Sequence, residues 1–196
     1  MNLSDLMNGC RHAVSIIWKL EARLRGVRMG GPVRFLGRPI IAVFPGSNIT
    51  LEGENSFMSS PRCNPLGNAV PCVLRTMTAT ARIRVGRNVG MSSASICATV
   101  SVEVGDGTII GAGAMIFDTD FHERIGEFEW GGITPRICKP ISIGRGCFLG
   151  TRCIVMKGVT IGDGAVIGAG AVITKDVPAG ATAVGNPMRI IPADPN

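Results

Sequence analysis

The hydrophobic positions in the second half of the chain recur every six residues. The aliphatic residues of this series are Ile143, Leu149, Val155, Ile161, Ile167 and Ile173. Side chains repeat their direction about every 3.6 residues in an α-helix and every 2 in a strand, so neither explains this period. A solenoid does, because each unit supplies one short strand and one corner. The pattern therefore predicts triangular coils of about 18 residues, with Ile143 stacked on Ile161 and Leu149 on Ile167.

The same period runs through the first half of the chain and is interrupted once. Its members there are Val85, Met91 and Cys97, then, after a one-residue slip, Val104, Ile110 and Ile116. Residues 117–142 fit no six-residue unit and contain His122, one of the two histidines of the chain. A segment this long without regular structure is usually functional. We therefore expect a loop at about 117–142 that protrudes from the scaffold and carries His122.

The N-terminal residues have a helical period instead. Seven apolar residues alternate by three and four positions, which predicts a helix over residues 3–25 with one apolar stripe: Leu3, Leu6, Cys10, Ala13, Ile17, Leu20 and Leu24. Gly26 is a natural end for this helix. We expect the stripe to cover the open end of the solenoid, although the spacing also suits a helix–helix seam. Residues 27–80 are interpreted as early, irregular coils between turns.

Composition and charge narrow the class of protein. Apolar residues make up 45% of the 196. The chain has 27 glycines, and those of the repeat keep a fixed register, which argues against low-complexity disorder. Residues 1–38 hold seven Lys and Arg against two acids, so +5 of the net +6 lies there. No nucleic-acid recognition motif accompanies this charge, so we expect no nucleic-acid partner. The segment is either a solvated helix face or a surface attracted to an anionic membrane or a polyphosphate-linked substrate.

The seven cysteines include no C-x-x-C pair and their number is odd, so neither a zinc site nor a disulfide framework is indicated. We expect reduced thiols, with Cys97 buried because it falls on the apolar position of the repeat. No stretch is long enough to span a bilayer, and no signal-peptide cleavage site follows residues 13–18. The expected location is cytoplasmic, either free or peripheral at the inner membrane through the N-terminal helix.

Three stretches resemble the hexapeptide-repeat acyltransferases. The repeat from Ile143 through Val159-Thr-Ile-Gly-Asp-Gly-Ala-Val-Ile-Gly is similar to the C-terminal half of these enzymes, and Val184-Gly-Asn-Pro-Met-Arg-Ile-Ile to their closing segment. Phe117-Asp-Thr-Asp-Phe-His-Glu resembles the histidine loop of the sugar O-acetyltransferases, including galactoside, maltose and polysaccharide-associated enzymes. The resemblance implies an all-β fold, a left-handed parallel β-helix, with acetyl-CoA as co-substrate and homotrimers whose active sites lie between subunits. The implied domains are an N-terminal helix (1–26), a β-helix (27–192) and a tail (193–196).

Transfer of an acetyl group from a thioester to a hydroxyl needs a base for the hydroxyl proton, and an imidazole suits this role near neutral pH. His122 is the candidate base, and Asp120 is the candidate that orients it or contacts the acceptor. No nucleophile elbow is present, which favours direct attack within a ternary complex. Galactoside-type relatives contact the acceptor through an asparagine, where this chain has serine. The candidate acceptor contacts are Ser92, Ser93, Asp118 and Trp130.

The resemblance also implies the donor side of the site. A backbone N–H at Gly150 or Thr151 would stabilise the oxyanion, and the charges of Lys175 and Arg189 would meet phosphates of the coenzyme. The implied contacts to acetyl-CoA are Gly150, Thr151, Ala169, Thr174, Lys175 and Arg189. We expect no metal, because one histidine in the repeat region makes a three-histidine zinc site improbable.

The leading hypothesis is an acetyl-CoA-dependent O-acetyltransferase that acts on a sugar hydroxyl in bacterial surface polysaccharide biosynthesis. A second hypothesis is an acetyltransferase for another small acceptor, such as serine, a nucleotide-linked amino sugar or an antibiotic hydroxyl. A third is a non-catalytic β-helix that serves a structural role.

Overall fold

The computed structural model describes residues 15–68 and 70–193. In this part a helix, α1, covers residues 15–24, and the strands after it wind into three sheets that enclose one core. The strand pairs of these sheets are parallel except for the last one, between residues 182–184 and 189–191, which is antiparallel. Sheet A contains β1 (Arg28–Met29), β4 (Asn48–Gly53), β7 (Arg82–Arg87), β10 (Ser101–Val104), β15 (Ile141–Ile143) and β18 (Thr160–Ile161). Sheet B contains β2 (Val33–Leu36), β5 (Asn55–Met58), β8 (Gly90–Ser92), β11 (Ile109–Ile110), β16 (Phe148–Leu149), β19 (Val166–Ile167), β21 (Thr182–Val184) and β22 (Arg189–Ile191). Sheet C contains β3 (Ile40–Ala42), β6 (Val73–Thr76), β9 (Ser95–Ala98), β12 (Met115–Phe117), β17 (Ile154–Val155) and β20 (Val172–Ile173).

The chain visits the sheets in the order A, B, C in each coil, so the molecule is a three-sided prism with three edges. The A–B edge contains residues 105–107, 144–146 and 162–164, and the B–C edge contains 111–113, 150–152 and 168–170. The C–A edge contains residues 118–140, 156–158 and 174–176. These three edges decide which predicted site residues lie together.

The predicted stacking is confirmed. Ile143 pairs in register with Ile161, and Leu149 pairs with Ile167. All four side chains are almost completely buried. The fold class, an all-β left-handed parallel β-helix with an N-terminal helix and a protruding loop, is confirmed as well.

The interior position of β9 differs from the prediction. Ile96, not Cys97, is fully buried and pairs with Ile116, whereas Cys97 is half-buried and pairs with Phe117. The six-residue count fails in the B–C corner before β9, where the interior residues Met91 and Ile96 are five positions apart, whereas Ile110 and Ile116 of the next coil are six apart. This corner is therefore one residue shorter than its counterparts, although Ser93 turns it with φ of 45° much as Gly113 turns the next one with φ of 72°.

The repeat glycines have two roles: some allow the chain to turn at a corner, and others allow neighbouring coils to approach closely. Gly146, Gly164 and Gly170 have positive φ, as glycine at a tight corner favours. Gly144, Gly150 and Gly162 do not have positive φ. A Cβ on any of these three would lie 2.4–2.6 Å from an atom of the next coil. The glycine that directly follows an aliphatic residue is therefore required by the spacing of the coils.

We expect Gly144→Ala to lower the free energy of unfolding by about 2 kcal/mol, as other insertions of a methyl group into filled space do. The new Cβ would lie 2.6 Å from the backbone nitrogen of Asp163, and backbone cannot swing aside. Denaturant unfolding followed by circular dichroism measures the effect. Gly132→Ala is the matched control, because nothing lies within 4 Å of its added Cβ. Equal stability of the two variants would contradict this account of the glycine.

Helix α1 packs on the end of the prism through a different face from the one predicted. Ala22 belongs to the core, the hydroxyl of Ser15 accepts a hydrogen bond from the N–H of Phe35 at 3.0 Å, and Trp18 packs partly buried against the core. The predicted stripe is exposed where the structure describes it. Ile17 is 57% exposed and Leu24 is 81% exposed. The expectation that this stripe covers the core is therefore wrong for these residues, and residues 3–14 of the predicted helix lie outside the described part.

Candidate active site

Residues 118–140 form an arm that leaves the prism at the C–A edge and returns to it. The base of the arm is closed by a bridge between Thr119 and Cys138 and by the N–H of Lys139, which donates to the carbonyl of Asp118 at 2.9 Å. Beyond the base, β13 (Glu123–Arg124) and β14 (Trp130–Gly131) form an antiparallel hairpin, and a short 3₁₀ helix covers Pro135–Ile137. The arm predicted as a structureless loop is thus partly regular.

His122 lies at the start of the hairpin, after a backbone turn that sets its direction. Phe121 has φ of 63°, a conformation that few residues other than glycine adopt. Two contacts hold it there: its N–H donates to the hydroxyl of Thr119 at 3.1 Å, and its ring packs on Phe117 with centroids 5.6 Å apart. The imidazole that follows is exposed.

The imidazole is oriented by a backbone carbonyl. Its Nδ1 lies 3.2 Å from the carbonyl oxygen of Gly131, across the hairpin. A carbonyl accepts but cannot donate, so this contact places the proton on Nδ1 and the lone pair on Nε2. The ring is therefore held in the tautomer that a general base needs.

Glu123 fixes the hairpin that carries both groups. Its carboxylate pairs with the Arg136 guanidinium at 2.8 Å and accepts a short hydrogen bond from the Thr134 hydroxyl. Sequence reasoning gave Glu123 no such role, because its partners are eleven and thirteen residues away and no motif links them.

Asp120 contacts His122 through the backbone rather than through its carboxylate. Its carbonyl oxygen accepts the N–H of His122 at 2.7 Å, while its carboxylate forms an ion pair with Lys157 of the next coil. Asp120, His122 and Trp130 together line an open depression of about 730 Å³. The structure therefore places Asp120 beside the candidate base, with its carboxylate directed to Lys157.

Asp118 lies inside the prism. It is fully buried, and its two carboxylate oxygens accept the N–H groups of Thr99 and Val100, both at 2.7 Å, and the Thr99 hydroxyl at 2.6 Å. This arrangement stabilises the corner of the preceding coil and leaves no exposed carboxylate oxygen for an acceptor.

Ser92 and Ser93 lie on the B–C edge, away from the arm of the same chain. Ser93 is buried beneath the turn at 59–72, where its hydroxyl accepts from the side-chain amide of Asn64 at 3.1 Å. Ser92 is half-buried, and its hydroxyl donates to the Met58 sulfur at 3.6 Å. Neither serine occupies the depression around His122.

The predicted donor residues are divided between two edges. Gly150, Thr151 and Ala169 lie on the B–C edge, where a groove of about 700 Å³ is lined by residues that include Thr151, Ala169, Gly170 and Asn68. Thr174 and Lys175 lie on the C–A edge, as the arm does, and both are exposed. Arg189 is exposed in β22, at the C-terminal end of sheet B.

The two backbone donors proposed for the oxyanion differ in availability. The N–H of Gly150 donates to the carbonyl of Ile167 at 2.7 Å and so belongs to the ladder between coils. Thr151, half-buried at the groove, is the better candidate.

Comparisons with known proteins match the repeat region of the chain. The family model described as the hexapeptide repeat of succinyl-transferase matches residues 140–175. Nodulation protein L of Rhizobium leguminosarum bv. viciae is 47% identical over 109 residues, which are 55% of this chain and 56% of that protein. Residues 140–175 of the chain therefore match a hexapeptide repeat.

Solved structures of similar proteins match the solenoid. A hexapeptide-repeat-containing acetyltransferase from Vibrio cholerae superposes with a TM-score of 0.50 at 27% identity, over 62% of this chain and 69% of the other chain. AntD, an N-acyltransferase from Bacillus cereus, gives a TM-score of 0.62 at 16% identity over 89% and 87% of the two chains. At that identity the second match shows a shared fold alone. The chain spans about half the length of the curated relative, 56%.

Four cysteine thiols of the protein are poor nucleophiles. Burial raises the pKa of the Cys153 thiol to about 12 and raises the pKa of Cys72, Cys97 and Cys147 as well. A thiol attacks as the thiolate, so these four cysteines offer no covalent acyl carrier near neutral pH.

Two further properties concern residues 15–68 and 70–193. No cluster of three or more His, Cys, Asp or Glu with the geometry of a metal site is present in this range. Nor does any helix within it have the length and apolar character needed to cross a bilayer.

Proposed function

We propose that the protein is an acetyl-CoA-dependent O-acetyltransferase for a sugar hydroxyl, with His122 as the general base. The observation that carries this proposal is the imidazole on the arm, whose Nδ1 is held by the carbonyl of Gly131 at 3.2 Å. The tautomer leaves Nε2 to accept a proton, and the exposed ring lines a depression large enough for a small molecule. The 47% identity with nodulation protein L over the shared region and the hexapeptide-repeat match support an acyl-transfer function.

The proposed reaction is a direct transfer. The acceptor hydroxyl oxygen attacks the thioester carbonyl carbon while its proton passes to Nε2 of His122. The resulting oxyanion is stabilised by a backbone N–H, for which Thr151 is the candidate. Collapse of the tetrahedral intermediate breaks the carbon–sulfur bond, and the imidazolium returns its proton to the departing thiolate of coenzyme A. The high pKa of the buried thiols agrees with a route that has no acyl-enzyme.

A sugar acceptor is proposed because of what lies beside the imidazole. Trp130 offers an apolar ring face of the kind that stacks on sugar C–H groups, and it is 67% exposed on the wall of the depression. Asp120 and Lys157 supply polar groups for neighbouring hydroxyls. We include the surface polysaccharides of bacteria and their lipid-linked precursors in this proposal, with peripheral membrane contact through the N-terminal segment.

The arm and the groove lie on different edges of the prism, which favours a site shared between two chains over a site within one. We propose a homotrimer in which the C–A edge of one subunit faces the B–C edge of the next. When three parallel prisms share a threefold axis, the outer edges of neighbours meet. The A–B edges must then lie nearest the axis, with sheet B of one subunit against sheet A of its neighbour.

The outer face of sheet B suits such an interface. Ile109, Phe148 and Val166 form a register-aligned row on it, with exposed fractions of 51%, 48% and 37%. Burial of exposed apolar area of this kind is the main driving force of association.

Phe148→Asp is therefore expected to convert the trimer to monomers, because it buries a charge at the centre of the row. Size-exclusion chromatography with light scattering measures the mass. Met115→Asp is the matched control. Met115 is 41% exposed on the outer face of sheet C, and the proposed arrangement leaves this face outside the interface. If Phe148→Asp remained a trimer and Met115→Asp became monomeric, the interface would have to include sheet C instead of sheet B, and the proposed arrangement would be wrong.

The acceptor is found by a screen that follows thiol release from acetyl-CoA. Free sugars, nucleotide-linked sugars, lipid-linked sugars, serine and amino sugars are compared under the same conditions. Acetylation of a sugar hydroxyl supports the proposal. Turnover only with an amine or with serine would show instead that the protein is an acetyltransferase for that acceptor.

A further inference from the structure

The outward face of α1 is apolar and has no partner among the described residues. Ile16, Ile17, Leu20 and Leu24 are 56%, 57%, 57% and 81% exposed. At 100° per residue these four side chains share one side of the helix, opposite Ser15, Trp18 and Ala22, which face the prism. A row of four exposed aliphatic residues on one helix indicates a surface that contacts something other than water.

The border of this face is cationic. Lys19 and Arg23 lie one helical turn apart, next to Ile16 and Leu20 on the helix surface. Arg28 and Arg34 add exposed positive charges on the first strands, at the same end of the prism.

The one acid of α1 does not offset this charge. Glu21 lies on the other side of the apolar row, paired with Arg25 at 2.9 Å and with Arg38 at 2.8 Å. These hydrogen bonds, that of Arg38 first, lower the pKa of Glu21, so the carboxylate stays ionised and is already neutralised by two guanidinium groups.

We propose that α1 is an interfacial helix that docks the N-terminal end of the solenoid on an anionic lipid bilayer. An aliphatic face with a Lys/Arg border is the pattern of a helix that lies in the plane of a membrane surface. The alternative occupant is a second copy of this chain, which would bring the same excess of positive charge, seven Lys and Arg against two acids in residues 1–38. Anionic headgroups bring the opposite charge, so charge complementarity favours the bilayer.

This inference is independent of the proposed chemistry, because membrane docking requires neither acetyl-CoA nor His122. In the proposed trimer the three parallel prisms present their helices at one end, so the helices engage one bilayer together and their effects multiply. Such docking would hold the arm and groove beside lipid-linked acceptors.

The test is co-sedimentation of the full chain with vesicles of phosphatidylcholine alone or mixed with phosphatidylglycerol. The protein is expected to bind the vesicles that contain phosphatidylglycerol and not those made of phosphatidylcholine only. This binding should weaken with salt, because the Debye length falls from about 10 Å at 0.1 M to about 3 Å at 1 M. Lys19→Gln/Arg23→Gln should lower the partition coefficient on the order of tenfold or more, since each cation near the surface contributes about fivefold. Leu20→Ser/Leu24→Ser should lower binding comparably by removing the inserted side chains.

Arg62→Gln/Val70→Ser is the matched control, because it removes one exposed cation and one exposed aliphatic side chain from the turn at 59–72. It should bind as the unaltered protein does. The proposal is overturned if the unaltered protein ignores anionic vesicles, or if the helix variants bind as well as the control. Loss of a larger oligomer in Leu20→Ser/Leu24→Ser with unchanged vesicle binding would assign the face to a second copy. Thiol release with a soluble acceptor, followed in the same samples, separates failure of docking from failure of catalysis.

Discussion

His122→Ala is expected to lower turnover by about 10²–10⁴-fold, the range that a positioned general base contributes. The variant removes Nε2, the atom that takes the hydroxyl proton, and leaves the groove on the B–C edge untouched. The measurement is kcat from thiol release at saturating acetyl-CoA, together with the Kd of coenzyme A by calorimetry. Loss of kcat with an unchanged Kd is the pattern of a group that acts in the transition state.

The control distinguishes loss of the base from collapse of the arm. Glu127→Ala alters an exposed residue of the hairpin connection and leaves the imidazole, the Gly131 carbonyl and the Glu123 contacts in place. It should retain full turnover and the same oligomeric mass. If His122→Ala keeps its turnover, the base must be another group, and the proposed mechanism is wrong.

The repeat was predictable because its signal is redundant. Each coil repeats the same choice of interior aliphatic residue, so the pairs Ile143 with Ile161 and Leu149 with Ile167 follow from spacing alone. The spacing does not determine the handedness of the solenoid. Parallel crossovers are right-handed in about 98% of cases, so the left-handed assignment rested on the family resemblance.

Two errors show where periodicity fails. Cys97 was predicted as the interior residue because the count of six was continued through a corner that had lost a residue, and Ile96 occupies that position instead. The face of α1 was assigned on hydrophobicity, yet Ser15 and Ala22 face the prism. Small residues allow the helix to approach closely, and a hydrophobic stripe does not say which partner it meets.

The features of the candidate site that depend on side-chain type could be predicted from the sequence. The features that depend on the path of the backbone could not. His122 was singled out from its loop. The Gly131 carbonyl that orients it carries no sequence signal, because every residue has a carbonyl and its position follows from the hairpin. Asp118 and Asp120 look equivalent in the sequence, and only the coordinates show that one is buried in a corner and the other is exposed beside the imidazole.

Mixed trimers of two inactive variants are expected to recover activity, since the arm and the groove lie on different edges of one chain. Ala169→Trp places a large ring in the groove on the B–C edge, where the native methyl group is exposed, and should abolish transfer by blocking the donor. His122→Ala leaves that groove open but lacks the base. When the two variants are co-expressed in equal amounts, an intact arm meets an open groove in about one quarter of the sites.

Co-purification through two different tags retains only mixed trimers, so the expected result, measured as thiol release, is about one third of the unaltered activity from two proteins that are each inactive alone. The double variant His122→Ala/Ala169→Trp, co-expressed with the unaltered chain, is the matched control, because it puts both lesions on one subunit. A site built within one chain would behave differently: the two single variants would give no recovery in any mixture. In that case the arm would have to reach a donor on its own C–A edge, beside Thr174 and Lys175, and the proposed arrangement of the three prisms would be wrong.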